Sequence, residues 1–118
     1  MQFKQFGNVK INVHDMGIDM LSLSGHKFHG PKGIGALYVR ENINFEKIMN
    51  GGHQEKDKRD GTENVAGIVG IGKAAELANI GMDEHISKMK ELKNYYVEEV
   101  QKRIPNIRIN GAVNARLP

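Results

Sequence analysis

The 118-residue sequence predicts an α/β fold. Three observations carry that expectation: two short apolar segments flank a glycine-rich loop at 21–40, a glycine-bearing helical stretch fills 63–80, and a strongly periodic helix runs over 83–104.

Taken in order, the first expected element is a strand at 9–13, VKINV, entered from Phe6-Gly7. The segment HDMGID that follows reads as a connection, with His14 and Asp15 as solvated loop residues. LSLS at 21–24 alternates apolar and hydroxyl side chains, as a short strand with one buried face does. Gly25 breaks it, and Gly30-Pro31-Lys32-Gly33 is turn chemistry, because glycine permits positive φ and proline fixes its own. Ala36-Leu37-Tyr38-Val39 is a second strand, stopped by Arg40-Glu41-Asn42. Residues 43–62 form a polar loop, too charged for a core.

The stretch 63–80 reads as a helix with Thr62 as its N-cap, despite three interior glycines that each cost about 1 kcal/mol against alanine. Gly67, Gly70 and Ala74 share one small face suited to close packing against the sheet or another subunit, and Gly81 suits the position after the helix. In 83–104, Ile86, Met89, Leu92, Tyr96, Val100 and Ile104 recur at helical spacing, and Pro105 ends the run. Glu84/Lys88, Glu98/Lys102 and Glu99/Arg103 stand four apart, acid before base. A short strand is expected at 107–109, and the chain then runs out in a polar tail.

Composition narrows the function classes. The net charge of +3 is spread along the chain and interleaved with acids, without the basic-aromatic pattern of a nucleic-acid reader. No apolar run reaches the roughly 18 residues of a membrane span, and no signal peptide is visible. Zero cysteines exclude disulfides and fit a cytoplasmic protein. His26, His29 and His53 lack the spacing of a zinc site, so no metal is expected. Gly33-Ile34-Gly35 has the look of a dinucleotide loop, but Tyr38 occupies the third glycine's place and a strand follows where a helix is needed.

The chemistry-bearing cluster is Ser24, His26 and Lys27: a hydroxyl, an imidazole and an amine within four residues at a strand end. A lysine amine can condense with a carbonyl cofactor, and neighbouring hydroxyl and imidazole donors can hold that cofactor's phosphate. For an isolated S-G-H-K tetrapeptide, a solvated surface lysine is the ordinary expectation.

The longer string SGHKFHGPKGIGALYVR resembles the lysine segment of cysteine desulfurases of the NifS/IscS type, in the class V aminotransferase family. GGHQEKDKRDGTENVAGIVGIGKAAELA, residues 51–78, is similar to the segment that follows it, and Asn110-Gly111 and Arg116-Leu117-Pro118 continue the likeness. The resemblance covers essentially the whole chain. It implies part of the large domain of a fold type I enzyme dependent on pyridoxal 5'-phosphate. Residues 1–104 would be the later half of that domain with its connecting helix, and 105–118 the start of the small C-terminal domain. Lys27 would hold the cofactor covalently, Ser24 and His26 would bind its phosphate, and Thr62 would bind the phosphate of a partner subunit's site. The implied reaction converts L-cysteine to L-alanine and passes sulfur, as a persulfide on a mobile cysteine, toward iron–sulfur cluster assembly.

The sequence departs from the family at several positions. Met1 and Lys4 stand where the family has the Asp and Gln that contact the cofactor ring, and its stacking histidine is absent. His53 replaces a third glycine, Lys56 a common arginine, and Asp60 a small residue beside Thr62, where a carboxylate would repel phosphate. No cysteine is present to carry a persulfide. Two readings follow. The chain is either part of a desulfurase completed by other polypeptide segments, or an inactive remnant or interaction module that keeps the lysine loop. A homo-oligomer is expected, with L-cysteine as substrate and an iron–sulfur scaffold protein as further partner in the first reading.

Overall fold

The structure is a computed structural model and describes residues 7–112 and Leu117. Its organising unit is an antiparallel hairpin of β1 (Met20–Ser24) and β2 (Gly35–Val39), paired from Met20 opposite Val39 to Ser24 opposite Gly35. Gly35 is needed at the closed end, because a Cβ there would lie 2.7 Å from the carbonyl oxygen of Leu23. The open end is tied by Arg40, whose amide donates to the Asp19 carbonyl and whose guanidinium pairs with the Asp19 carboxylate at 3.0 Å. Between the strands the chain makes one 3-10 turn, Gly25–Phe28, and drives Phe28 into the interior. The hairpin therefore matches the strand, turn and strand expected at 21–40.

The strand expected at 9–13 is absent, with only an isolated bridge at Val9. Asn12 is the reason. Its side-chain oxygen accepts from the amides of His14 and Asp15, and its carbonyl from Met16, so a local turn outcompetes a ladder. His14 and Asp15 are exposed, as expected of loop residues. The strand expected at 107–109 is likewise not formed; no neighbouring strand pairs with it among the described residues.

In the loop between β2 and the long helices lies one short turn, α1 (Gln54–Asp57), with Glu55, Lys56 and Asp57 all at positive φ. The expectation that this loop contributes nothing to the interior is overturned at Asp60, which is only 8% exposed. Both of its carboxylate oxygens, and Oε1 of Gln54, are sealed from solvent without a hydrogen-bond partner. The carboxyl group lies against the backbone of Gly51, where an added Cβ would come within 3.2 Å of it.

α2 (Val65–Ile80) begins two residues later than the sequence suggests. Its N-cap is Asn64, which accepts from the Gly67 amide at 3.0 Å; Thr62 lies outside the helix and caps nothing. Within this chain the small face meets the lysine loop and not the sheet. At Gly70 a Cβ would sit 2.6 Å from Cγ of Pro31, which explains how an interior glycine is tolerated. Gly81 ends α2 with φ of −87°, not in the left-handed region, and at once caps α3 (Met82–Arg103). The two helices meet at a 66° bend. No single helix among the described residues is long and apolar enough to cross a membrane.

On α3, Glu99 takes both Arg103 at 2.7 Å and Lys102 at 3.2 Å, while Lys88 pairs with Glu91. Of the three expected pairs only Glu99/Arg103 forms. Most of the helix's periodic face is uncovered, with Met89, Leu92, Tyr96 and Ile104 exposed. The buried apolar centre is small, made by Ile18, Leu21, Phe28 and Met82. Accordingly the molecule is long, 60 × 27 × 25 Å, with a radius of gyration of 18.8 Å. A compact domain of roughly 100 residues has about 13 Å.

Candidate functional site

Ser24 is the last residue of β1, and His26 and Lys27 occupy the 3-10 turn that follows. The turn is built tightly. The Gly25 amide donates to the Ile34 carbonyl, and the Gly25 carbonyl accepts from Gly30. A side chain at Gly25 would press on Ile34 and the Pro31 carbonyl, both 3.0 Å from the Cβ position. With Phe28 anchored inside, His26 and Lys27 are left exposed and Ser24 half-buried. None of the three side chains makes a hydrogen bond or ion pair among the described residues. A hydroxyl, an imidazole and an amine are thus uncommitted at one strand end, a donor set that suits a phosphorylated carbonyl cofactor.

Lys27 lines an open-mouthed cavity of about 500 Å³. Gly7 and Asn8 form one wall, Phe28 and His29 another, and the end of α2 and the start of α3 close it with Leu77, His85 and Met89. His29 reaches it because the backbone there turns left-handed, at φ of 67°. Ser24, His26 and Thr62 do not line this cavity. Ser24, His26 and Lys27 follow one another along the strand end and turn, and of the four expected cofactor residues only Lys27 lines the cavity; Thr62 is exposed, its carbonyl accepting from Arg59. Met1 and Lys4, the positions that differ from the family's ring contacts, lie outside the described residues.

Two cavity residues carry no local sequence signal. His85 Nε2 lies 3.0 Å from Asn8 Oδ1 across 77 residues of chain, and Lys10 and Asp83 pair beside them at 2.9 Å. In the sequence His29 stands out only as one of three histidines to weigh as metal ligands. Away from the lysine turn, the hydrogen bond to Asp57 holds the Lys47 amine above its ordinary range, and the same bond holds the Asp57 carboxyl below its own.

The family described as Aminotransferase class-V matches residues 3–118. The chain is 51% identical over 112 residues to "Cysteine desulfurase IscS" of Dictyoglomus turgidum, covering 95% of this chain and 28% of that protein. It superimposes with a TM-score of 0.85 on a NifS-like protein from Rickettsia africae, at 38% identity, over 95% of this chain and 31% of that one. It is also similar to SspA solved in complex with cysteine, with a TM-score of 0.60 and 52% identity over 64% of this chain and 22% of that one. The chain spans under a third of the length of these relatives.

Proposed function

The chain belongs to the class-V aminotransferase family, and from that premise we propose that it carries the cofactor-lysine segment of a pyridoxal-phosphate-dependent cysteine desulfurase. The observation that carries this is the Lys27 amine, uncommitted on a rigid turn and facing a cavity. When bound, pyridoxal phosphate supplies the electron sink that lets a substrate's α-carbon lose a proton. The chain's own residues do the rest. The Ser24 hydroxyl and the His26 ring N–H would donate to the cofactor's phosphate and so hold it against the turn. Lys27 Nζ would be the atom that holds the cofactor covalently, and when free it would accept and return a proton. The buried Phe28 and the close-packed Gly25 keep the turn from yielding as this happens.

In this reading the substrate is L-cysteine and the product L-alanine, with the sulfur passed on for iron–sulfur cluster assembly through a scaffold protein. These 118 residues contain no thiol, so the persulfide forms on another segment or another chain. Thr62 serves a phosphate in a second copy of the site. The absence of cysteine also supports a place in the cytoplasm. Mixing the protein with pyridoxal phosphate, reducing with borohydride and mapping peptides tests the assignment: the label is expected on Lys27 and lost in Lys27→Ala. Labelling scattered over surface lysines, and unchanged in that variant, would remove it.

A further inference from the structure

The loop between β2 and α2 carries an Asn-Gly pair, Asn50-Gly51, with a second glycine directly after it. A glycine in that place leaves its peptide nitrogen unshielded. With no Cβ beside it and wide backbone freedom, the nitrogen can swing onto the asparagine side-chain carbonyl. In most folded segments a hydrogen bond to the amide forbids this approach. No such restraint operates here. Asn50 and Gly51 are exposed and lie in no helix or strand. Neither the Asn50 side chain nor the Gly51 amide makes a hydrogen bond among the described residues. The sequence has one other such pair, Asn110-Gly111, but Asn110 already has a partner.

We propose that Asn50 is a self-modification site, at which the Gly51 nitrogen displaces ammonia and the residue ends as a mixture of aspartate and isoaspartate. Base removes the Gly51 amide proton, the nitrogen bonds to Asn50 Cγ, and the side-chain nitrogen leaves as ammonia. The product is a five-membered succinimide. Water then adds to one of its two carbonyls, and the C–N bond at that carbon breaks. Opening at Cγ gives aspartate. Opening at the backbone carbonyl gives isoaspartate, in which the main chain runs through the former side chain and is one methylene longer. In sum an amide and a water become a carboxylate and ammonium, with no oxidant or reductant. The site depends neither on a cofactor nor on the reading of Lys27.

The fold gives this change a consequence. Gly51 is the backbone laid against the buried Asp60 side chain, since a Cβ on it would lie 3.2 Å from both Cβ and Cγ of Asp60. Both Asp60 carboxylate oxygens are sealed there without a hydrogen-bond partner. An extra methylene immediately before Gly51 displaces it from Asp60 and admits water to the orphan oxygens. Hydrating a stranded carboxylate is favourable, so the fold does not resist the longer chain at this point. The new carboxylate at position 50 stands in solvent and meets no such penalty.

Ageing the 118-residue chain at mildly alkaline pH, digesting it with trypsin and mapping the peptides by mass tests the site. Peptide 48–56 is expected to gain the difference between an amide and an acid. It should split into two isomers, of which an isoaspartyl methyltransferase labels one. The rate should match that of the same segment as a free synthetic peptide within a few-fold, and should fall at mildly acidic pH. Asn50→Gln should lose the mass gain while keeping the parent's circular dichroism. A carbodiimide with an amine nucleophile reads the second step: Asp60 should be labelled in isoaspartyl chains and spared in fresh ones. A folded-chain rate at least an order of magnitude below that of the free peptide, or an unchanged mass gain in Asn50→Gln, would overturn the site. Asp60 labelled equally in fresh and isoaspartyl chains, or spared in both, would overturn the consequence drawn for Asp60.

Discussion

Replacing Asp60 by alanine is expected to stabilise the protein. Its side chain is 8% exposed, and both carboxylate oxygens are sealed from water without a hydrogen-bond partner. The cation that acts on it is Lys47, but the Lys47 amine is bound to Asp57 at 2.9 Å. Leaving a buried polar group unsatisfied costs about 1–3 kcal/mol, and more when it is charged. Alanine keeps the Cβ that rests against Gly51 and removes both orphan acceptors. Little packing is lost, since the deleted atoms are polar. A gain of about 1–3 kcal/mol corresponds to a rise in Tm of roughly 4–12 °C for a chain of this size. Thermal unfolding followed by circular dichroism measures it, with Asp57→Ala as an exposed control expected to shift Tm far less. A lower Tm in Asp60→Ala, matched by an equal loss in Lys47→Ala, would refute the reasoning: it would mean that Lys47 serves Asp60 in solution and that the carboxylate is not orphaned.

Three further outcomes are expected. Both strands of the hairpin are edges, and Leu37, Val65, Val69, Leu77 and Ile80 are exposed; the chain should therefore self-associate, with the 21–40 hairpin or the 63–80 helix at the contact, and light scattering that shows a compact monomer over a tenfold dilution would contradict this. With no thiol in its sequence, the 118-residue chain should not convert cysteine to alanine and sulfide faster than free pyridoxal phosphate does; stoichiometric alanine above that rate would show that the required residues are misjudged. The Lys47–Asp57 pair should add to loop stability only between the two ordinary ranges: the depressed Asp57 contribution is lost as pH falls below the usual carboxylate range, and the raised Lys47 contribution is lost as pH rises beyond the usual lysine range. A side-chain NMR titration of Asp57 with an apparent midpoint at or above that of a free aspartate would contradict the pairing.

What the sequence made legible is what neighbours in the chain decide. The hairpin could be read because glycine, proline and alternating residues specify turn and strand within 20 positions. The long helix could be read because its periodicity survives even where nothing covers it. Failures came where two local options competed or where distant residues met. Val9 to Val13 has strand composition, yet the Asn12 side chain offers its own amides a shorter route to satisfaction. Thr62 and Asn64 are both good caps, and only Asn64 stands three residues before an amide that its oxygen reaches. The family departure at Asp60 was visible, but not that its carboxylate turns inward; burial depends on how the loop folds over Gly51. The meeting of Asn8 with His85 depends on the bend between α2 and α3, and no window of sequence contains both.

The cap of α2 has an evolutionary consequence. A Cβ on Gly67 would come within 2.7 Å of the Asn64 amide nitrogen and 2.9 Å of its Cγ, so the glycine makes the space in which the cap sits. The two positions are therefore a single heritable unit. With Asn64 present, Gly67→Ala expels the cap and loses more than helix propensity returns. Once Asn64 has become alanine the same change is free to recover up to about 1 kcal/mol. The sign of one mutation's effect is set by the other. In this chain, then, the order of the two substitutions matters: Asn64→Ala before Gly67→Ala avoids the clash, and the reverse order meets it.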